Sequence, residues 1–271
     1  MLLEIDNLYG GYGSGDIVKG VTCGADAGEI LCLVGPNGCG KTTLFRLILG
    51  SIQASKGNVY IDGKATKDMT SKELAQLIAY IPQYHRPIYD YTVLDVVVMG
   101  RAAHLSAFET PKEVDREVAF AALKRINALH LANKKYTTLS GGQRQMVLIA
   151  RAICQSAKIF VMDEPASNLD YANHQLLMEM IVQLAEEGFC IVMSTHSPEH
   201  PASIASKVLL MKEGKVSAFG PPGEIITSEN LEVVYGIEMD IAVFYDRYGV
   251  KRTITLPVKN PNRELDVEEF S

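Results

Sequence analysis

Alternating apolar positions open the chain. Leu3, Ile5 and Leu8, followed later by Val59 and Ile61, predict an antiparallel sheet at the N-terminal edge. Between them the apolar run Glu29-Ile30-Leu31-Cys32-Leu33-Val34 has strand length, and after a glycine-rich turn Thr43-Leu44-Phe45-Arg46-Leu47-Ile48-Leu49 reads as a helix. Leu77-Ile78-Ala79-Tyr80-Ile81, Lys158 to Met162 and Phe189 to Thr195 are further strands. From Gln83 to about residue 139 the pattern turns helical. Thr92 caps a helix from Val93 to Arg101, and Pro111 opens another with Val114, Val118, Ala122 and Ile126 on one stripe. Tyr171 to Glu187 carries Leu176, Leu177, Met180, Ile181 and Leu184 on a face expected to pack on the sheet, and Gly188 stops it. Val208 to Met211 and Lys215 to Ala218 flank Lys212-Glu213-Gly214, a hairpin turn with glycine at the tight position. From Pro221 the chain reads as a short tail with Tyr235-Gly236 and a last apolar patch, Ile241 to Tyr245. The stretch from Asn260 to Ser271 reads as frayed and acidic.

Strands alternating with helices place the chain in the α/β class, and 271 residues supply a sizeable core. The formal net charge of −6 argues against a nucleic-acid surface, which is usually basic. No apolar run approaches the length that spans a bilayer, and the first residues lack a basic-then-apolar leader pattern. Membrane attachment is therefore expected only through a partner. Cys23, Cys32, Cys39, Cys154 and Cys190 are odd in number and show no C-x-x-C spacing, which points to reduced thiols in the cytoplasm.

The turn between the first buried strand and its helix carries the chemistry. Gly35-Pro36-Asn37-Gly38-Cys39-Gly40-Lys41-Thr42 fits G-x-x-x-x-G-K-[ST], in which backbone N–H groups turn inward around phosphates. Lys41 supplies a cation for the β- and γ-phosphates, Thr42 a hydroxyl for Mg²⁺, and the helix that follows presents its positive end. A second strand ends in Asp163-Glu164-Pro165 at the sheet edge where open α/β sheets bind ligands. Asp163 is expected to hold the metal and Glu164 to accept a proton from an attacking water. Taken alone, Tyr12 reads equally as a turn residue or a stacking platform, Gln83 as a surface amide and His196 as a structural histidine.

Leu139-Ser140-Gly141-Gly142-Gln143, ahead of the acidic strand, resembles the signature of ATP-binding cassette (ABC) ATPases, and the likeness extends from about Leu3 to Gly220 with every element in order. Ser140 is a good N-cap for the helix through Arg144 to Ala152, and Gly141 and Gly142 leave its first N–H groups uncovered. The resemblance implies a P-loop NTPase fold with a RecA-like core, an antiparallel β subdomain and an inserted helical subdomain. Core and β edge are expected in 1–83 and 158–220, the helical subdomain with the signature in 84–157, and the tail in 221–271. ATP and Mg²⁺ are the implied ligands. By resemblance Gly35, Pro36, Asn37, Gly38, Cys39, Gly40, Lys41, Thr42 and Thr43 contact the nucleotide, and Tyr12 stacks on adenine. Gln83 senses γ-phosphate and metal, His196 is the γ-phosphate switch, and Ser167-Asn168-Leu169-Asp170 is the dimer-contacting loop.

In such proteins the signature of one subunit meets the nucleotide of the other. With one phosphate loop and one signature, the chain is expected to form a head-to-tail homodimer. Tyr91 to Leu105, with Gly100-Arg101 and His104-Leu105, and Glu232 to Gly236 resemble the iron-siderophore, haem and vitamin B12 importer ATPases. That resemblance implies a peripheral subunit on the cytoplasmic face of the membrane. It would be held by permease subunits and served indirectly by a substrate-binding protein. Metal ions or oxyanions are the alternative cargo. A soluble ABC ATPase of the DNA-repair or ribosome-acting type would be expected to carry a coiled coil, a zinc module or a second cassette. A non-hydrolysing nucleotide sensor would be expected to lack Glu164 or His196. Two departures stand out: Cys39 where many relatives carry serine, expected to ionise readily at a helix N-terminus and so to react with alkylating reagents, and Ser197 where an acidic residue is common after the histidine.

Overall fold

The alternating N-terminal positions do form an edge sheet. The computed structural model describes residues 1–13, 15–83, 90–106, 108–167, 169–249 and 251–258. In chain order the first elements are β1 (Leu3–Tyr12), β2 (Gly15–Ala25), β3 (Ile30–Val34), α1 (Lys41–Ile48), β4 (Lys56–Ile61) and β5 (Lys64–Ala65). β1, β2, β4 and β5 make an antiparallel sheet in the order β2-β1-β4-β5. Leu3, Ile5 and Leu8 point into the core, and the register shift between Ile5 and Leu8 coincides with Asn7 at φ 44°, a bulge that keeps Leu8 on the buried face.

The chain continues through α2 (Ser71–Leu77), β6 (Ile78–Ile81), α3 (Val93–Val98), α4 (Glu113–Arg125), α5 (Gly141–Cys154), β7 (Ile159–Met162), α6 (Tyr171–Glu186) and β8 (Cys190–Thr195). It then runs through α7 (Glu199–Ile204), β9 (Lys207–Lys212), β10 (Lys215–Gly220), α8 (Pro222–Ile225), α9 (Ser228–Tyr235), β11 (Met239–Tyr245) and β12 (Lys251–Pro257). The second sheet has the order β10-β9-β3-β8-β7-β6, parallel from β9 to β6 with β10 antiparallel at its edge. Its central strands are apolar without alternation because both faces are covered. Cys32, Val34, Phe160, Met162, Ile191 and Met193 face α3 to α6, whereas Leu31, Leu33, Ile159, Val161 and Val192 face α1 and the antiparallel sheet.

The hairpin between β9 and β10 turns at Glu213 and Gly214, both at positive φ (51° and 83°). Gly214 is also the point where this turn touches β2, because a Cβ there would overlap the carbonyl of Ile17. The turn thus ties the two sheets together: Lys19 N donates to Gly214 O (2.8 Å), and Gly214 N donates to Cys39 O in the phosphate loop (2.9 Å).

Three sequence expectations are corrected in the helices and one in the tail. The α-helix capped by Thr92 ends at Val98 and tightens into a 3₁₀ turn over Met99–His104 instead of continuing to Arg101. Gly100 there lies against the Arg151 carbonyl of α5, too close for a Cβ. In α4 the buried face is Asp115, Ala119, Ala122 and Leu123, with Ile126 beyond its end, and Val114 is 59% exposed. Ala122 and Ile126 are buried as expected and Val118 is partly so, but Asp115 takes the place of Val114, drawn inward by Arg101 (Nε to Oδ1, 3.0 Å) and accepting from Lys112 N (3.0 Å). In α6 the buried face is Leu177, Met178, Ile181, Leu184 and Ala185, which leaves Leu176 outside. Gly188 ends that segment as expected, at φ 98° with its N–H on Ala185 O. The apolar patch from Ile241 to Tyr245 is no loose tail but strand β11, paired antiparallel with β12 from Met239↔Pro257 to Tyr245↔Lys251. The expected frayed stretch, 260–271, lies outside the described residues. Among the described residues no helix is long and apolar enough to cross a membrane.

Candidate active site

Four adjacent parallel strands end at one edge, and each hands on one polar element. β3 leads to Gly35–Gly40 and Lys41, β8 to His196, β7 to Asp163-Glu164 and β6 to Gln83. Register aligns them: Val34 pairs with Thr195, Met162 with Met193 and Ile81 with Met162. Residues far apart in sequence therefore meet at the C-terminal edge, where α/β sheets place ligand sites.

The phosphate loop depends on backbone freedom. Gly38 and Gly40 lie at φ 78° and 111°, and a Cβ on Gly35 would overlap the carbonyl of Met211. Gly40 is the N-cap of α1, so the helix's first N–H groups open into the loop without a side-chain cap. Lys41 is 6% exposed; its Nζ donates to the carbonyls of Gly35 (2.7 Å) and Pro36 (3.1 Å) and lies 3.8 Å from Glu164 Oε1. A buried ammonium beside a helix N-terminus whose backbone N–H groups open into the same loop suits an anion such as a phosphate chain.

Thr42 Oγ1 donates to Asp163 Oδ2 (2.9 Å), and Ser194 Oγ donates to Asp163 Oδ1 (2.7 Å). Ser194 also accepts from Glu164 N (2.9 Å), so one buried hydroxyl positions both carboxylate residues. Sequence reasoning missed Ser194, which looks like one more small residue in an apolar strand; the only signal was a hydroxyl one turn of the pleat before His196. The oxygen donors Thr42 and Asp163 suit a hard cation such as Mg²⁺. Among the described residues no group of three or more His, Cys, Asp or Glu is placed to hold a metal ion.

Glu164 is the meeting point. Gln83 Nε2 donates to its Oε2 (3.0 Å), His196 Nδ1 lies 3.2 Å from the same oxygen, and Lys41 approaches the other. His196 thus meets Glu164 through Nδ1 at the sheet edge. Gln83 Nε2 also lies 3.4 Å from Ser167 Oγ. Glu164 has φ 43°, a left-handed conformation that costs a non-glycine residue on the order of 1–3 kcal/mol and is typical of functional positions. Composition and periodicity carry no trace of that strain. Beside the site, the His200 ring packs at a tilt against His174 (centroids 4.4 Å apart) and its Nδ1 lies 3.3 Å from Thr195 Oγ1. Burial first, then His174 and His196, push His200 down to about 4, so it packs as a neutral ring.

Other expected residues lie apart from this cluster. Tyr12, 44% exposed, ends β1 and accepts from Arg46 Nη1 (2.7 Å), whose guanidinium also lies over its ring (5.5 Å). Ser140 caps α5 in a reciprocal box with Gln143: Gln143 N donates to Ser140 Oγ (3.3 Å) and Ser140 N to Gln143 Oε1 (3.2 Å). Gly141 is exposed at that helix end, whereas Gly142 is pressed against Asn173 of α6. Asp170 is the N-cap of α6, accepting from Asn173 N and Nδ2 (2.8 Å each), and these bonds hold its carboxyl below the usual range. Asn168, in the same expected loop, lies outside the described residues.

Cys39 corrects an expectation. Its side chain is 3% exposed, packed into the core beside Leu33 and Leu44, and burial pushes the thiol up despite the opposing pull of Lys41. Desolvation outweighs the helix end, so the group stays a protonated, inert thiol at neutral pH. Maleimide at pH 7.5 is expected to label Cys39 in the folded chain at least about 10-fold more slowly than in the unfolded chain. Peptide mapping at matched times measures this, and equal rates would restore the reactive thiolate.

A phosphate loop, a paired carboxylate and a histidine on one edge of a parallel sheet define a P-loop nucleotide hydrolase. A family model described as ABC transporter matches residues 18–167, more than half of the chain. The chain therefore belongs to the ABC transporter family and is an ABC-type ATPase subunit. It is 39% identical over 213 residues to the molybdate import ATP-binding protein MolC of Haemophilus influenzae, covering 78% of this chain and 79% of that one. With the ferric enterobactin transport ATP-binding protein FepC of Escherichia coli it shares 34% identity over 236 residues, 87% of each. A chain from an inward-facing ABC transporter structure assigned to the metal-chelate type superposes with a TM-score of 0.86 at 34% identity, covering 95% of this chain and 98% of that chain.

Proposed function

We propose that the chain hydrolyses ATP to drive an importer of metal chelates, bound through a separate permease to the cytoplasmic face of the membrane. The observation that carries the hydrolytic part is the convergence of Gln83, His196 and Lys41 on the Glu164 carboxylate. Glu164 takes the proton of the water that attacks the terminal phosphate, while Lys41 and the loop N–H groups of Gly38 to Lys41 balance the phosphate charge. His196 and Gln83 fix the Glu164 carboxylate and sit where a terminal phosphate would end. A magnesium ion, when bound, would neutralise charge on the phosphate oxygens, and Thr42 and Asp163 would hold it.

Ser140 and Gln143 spend their side chains on each other, and the helix end at Gly141 is open. Two copies arranged head to tail bring that positive helix end to the phosphates held by the partner's loop. Tyr12 supplies the exposed ring for the adenine.

The importer reading is supported by relatives named for uptake of molybdate and of ferric enterobactin and by the metal-chelate type structure. We place the permease against Tyr91 to Leu105, where Tyr91 and Met99 are exposed. Arg101 and His104 turn inward instead, onto the C-terminal carbonyls of α5 at Cys154 (3.1 Å) and Gln155 (2.7 Å). A cleft of about 780 Å³ is lined by Leu49 to Val59, by Leu74 and Ala75 of α2 and by Ile78 and Tyr80 of β6, and the next residue of α2, Gln76, donates to Ala103 O (3.0 Å). A permease helix seated there would press on β6 and hence on Gln83. The identity to MolC favours a second reading, in which the cargo is an oxyanion.

Proteoliposomes holding the permease and this chain decide between these readings. ATP-dependent uptake of a ferric siderophore, haem or cobalamin is expected. Uptake of molybdate alone would select the second reading, and no ATP-dependent uptake of any of them would end the importer proposal.

A further inference from the structure

The loop that carries His196 is held from outside the sheet. Ser197 contributes only a local turn, its N–H donating to Thr195 Oγ1 (3.1 Å). The carbonyl of His196 itself accepts from the hydroxyl of Tyr235 at 2.8 Å, across 39 positions of sequence. That donor is mounted on a fixed element. Tyr235 is the last residue of α9, whose Leu231 and Val234 are buried in the main core and whose N-cap Thr227 accepts from Asn230 N (3.2 Å). Lys212 Nζ donates to Val233 O (2.6 Å), and Gly236 closes the helix at φ 72°. Burial raises the phenol's pKa, with Cys39 and Glu164 adding to it, so the hydroxyl keeps its proton at neutral pH.

We propose that Tyr235 is a positioning residue for the switch histidine: by pinning the His196 carbonyl it sets where the imidazole meets Glu164. The segment after Pro221 is thereby part of the catalytic apparatus. It supplies from a distance the support that Ser197, in place of an acidic residue, does not give. This inference rests on the ATPase reading of the site and extends it to the tail.

Tyr235→Phe keeps the ring and removes the donor. In the full chain, turnover is expected to fall about 3- to 10-fold, with KM for ATP within about twofold and the melting temperature within about 2 °C of wild type. Adding Tyr235→Phe to His196→Ala is expected to change the single-turnover rate by less than about twofold, because the group being positioned is gone. Wild-type turnover in Tyr235→Phe overturns the proposal, as does an undiminished further loss in the His196→Ala background. A fall in melting temperature with turnover and KM moving together would assign the bond to packing and overturn it too. A wild-type chain that does not hydrolyse ATP in the same assay would instead count against the ATPase reading.

Discussion

Glu164→Gln is expected to lower ATP turnover by about 10²-fold or more, because it removes the proton acceptor while leaving the rest of the site in place. The amide still fits between Gln83 and His196; Lys41 loses its charged neighbour at 3.8 Å but keeps its bonds to the Gly35 and Pro36 carbonyls, and the Thr42–Asp163–Ser194 side-chain bonds do not involve the Glu164 carboxylate. Binding of ATP should therefore persist, and with hydrolysis blocked the two-chain complex should accumulate. The positive φ of Glu164 is retained by glutamine, so the variant probes chemistry and not strain. Steady-state phosphate release and equilibrium ATP binding measure the two halves of this expectation. Near-normal turnover would remove Glu164 as the base.

Much of this site was legible before any fold was known, because its parts are contiguous. Gly35 to Thr42 and Asp163-Glu164 each fill consecutive positions, and apolar runs of strand length precede both. Ser140 as N-cap with Gln143 three residues on is likewise a local pattern. What the sequence could not reveal lies in long-range geometry. Ser194 binds Asp163 only because β7 and β8 are neighbours in register. Tyr235 reaches His196 only because α9 packs back onto the core. The Cys39 expectation failed for a related reason: the helix end was visible, but the depth of burial that outweighs it was not. The tail hairpin was hidden because β11 mixes exposed and half-buried apolar residues, which gives no clean alternation. The stripe on α4 was legible at Ala122 and Ile126 but misread at Val114, because Asp115 takes the buried slot there through its pairing with Arg101.

Ser140→Arg is expected to abolish hydrolysis, to below about 1% of wild-type turnover, while each chain still binds ATP through its own Lys41. The substitution replaces the cap of α5 with a bulky side chain at the helix end proposed to approach a phosphate. Losing the cap costs the chain about 1 kcal/mol, too little to unfold it, since α5 buries Val147, Leu148, Ile149 and Ala150. Circular dichroism separates the two effects: a folded, ATP-binding, inactive chain is the expected outcome. Wild-type turnover by this variant would mean that the signature takes no part in the site.

The central claim is that each hydrolytic site is built from two copies of the chain. Sedimentation equilibrium of Glu164→Gln with saturating Mg-ATP, beside the double variant Glu164→Gln/Ser140→Arg, tests it most directly. The account predicts a dimer for the first, present with ATP and lost on its removal, and a monomer with bound ATP for the second. A monomer in both, or a dimer that forms equally well in the double variant, would contradict it.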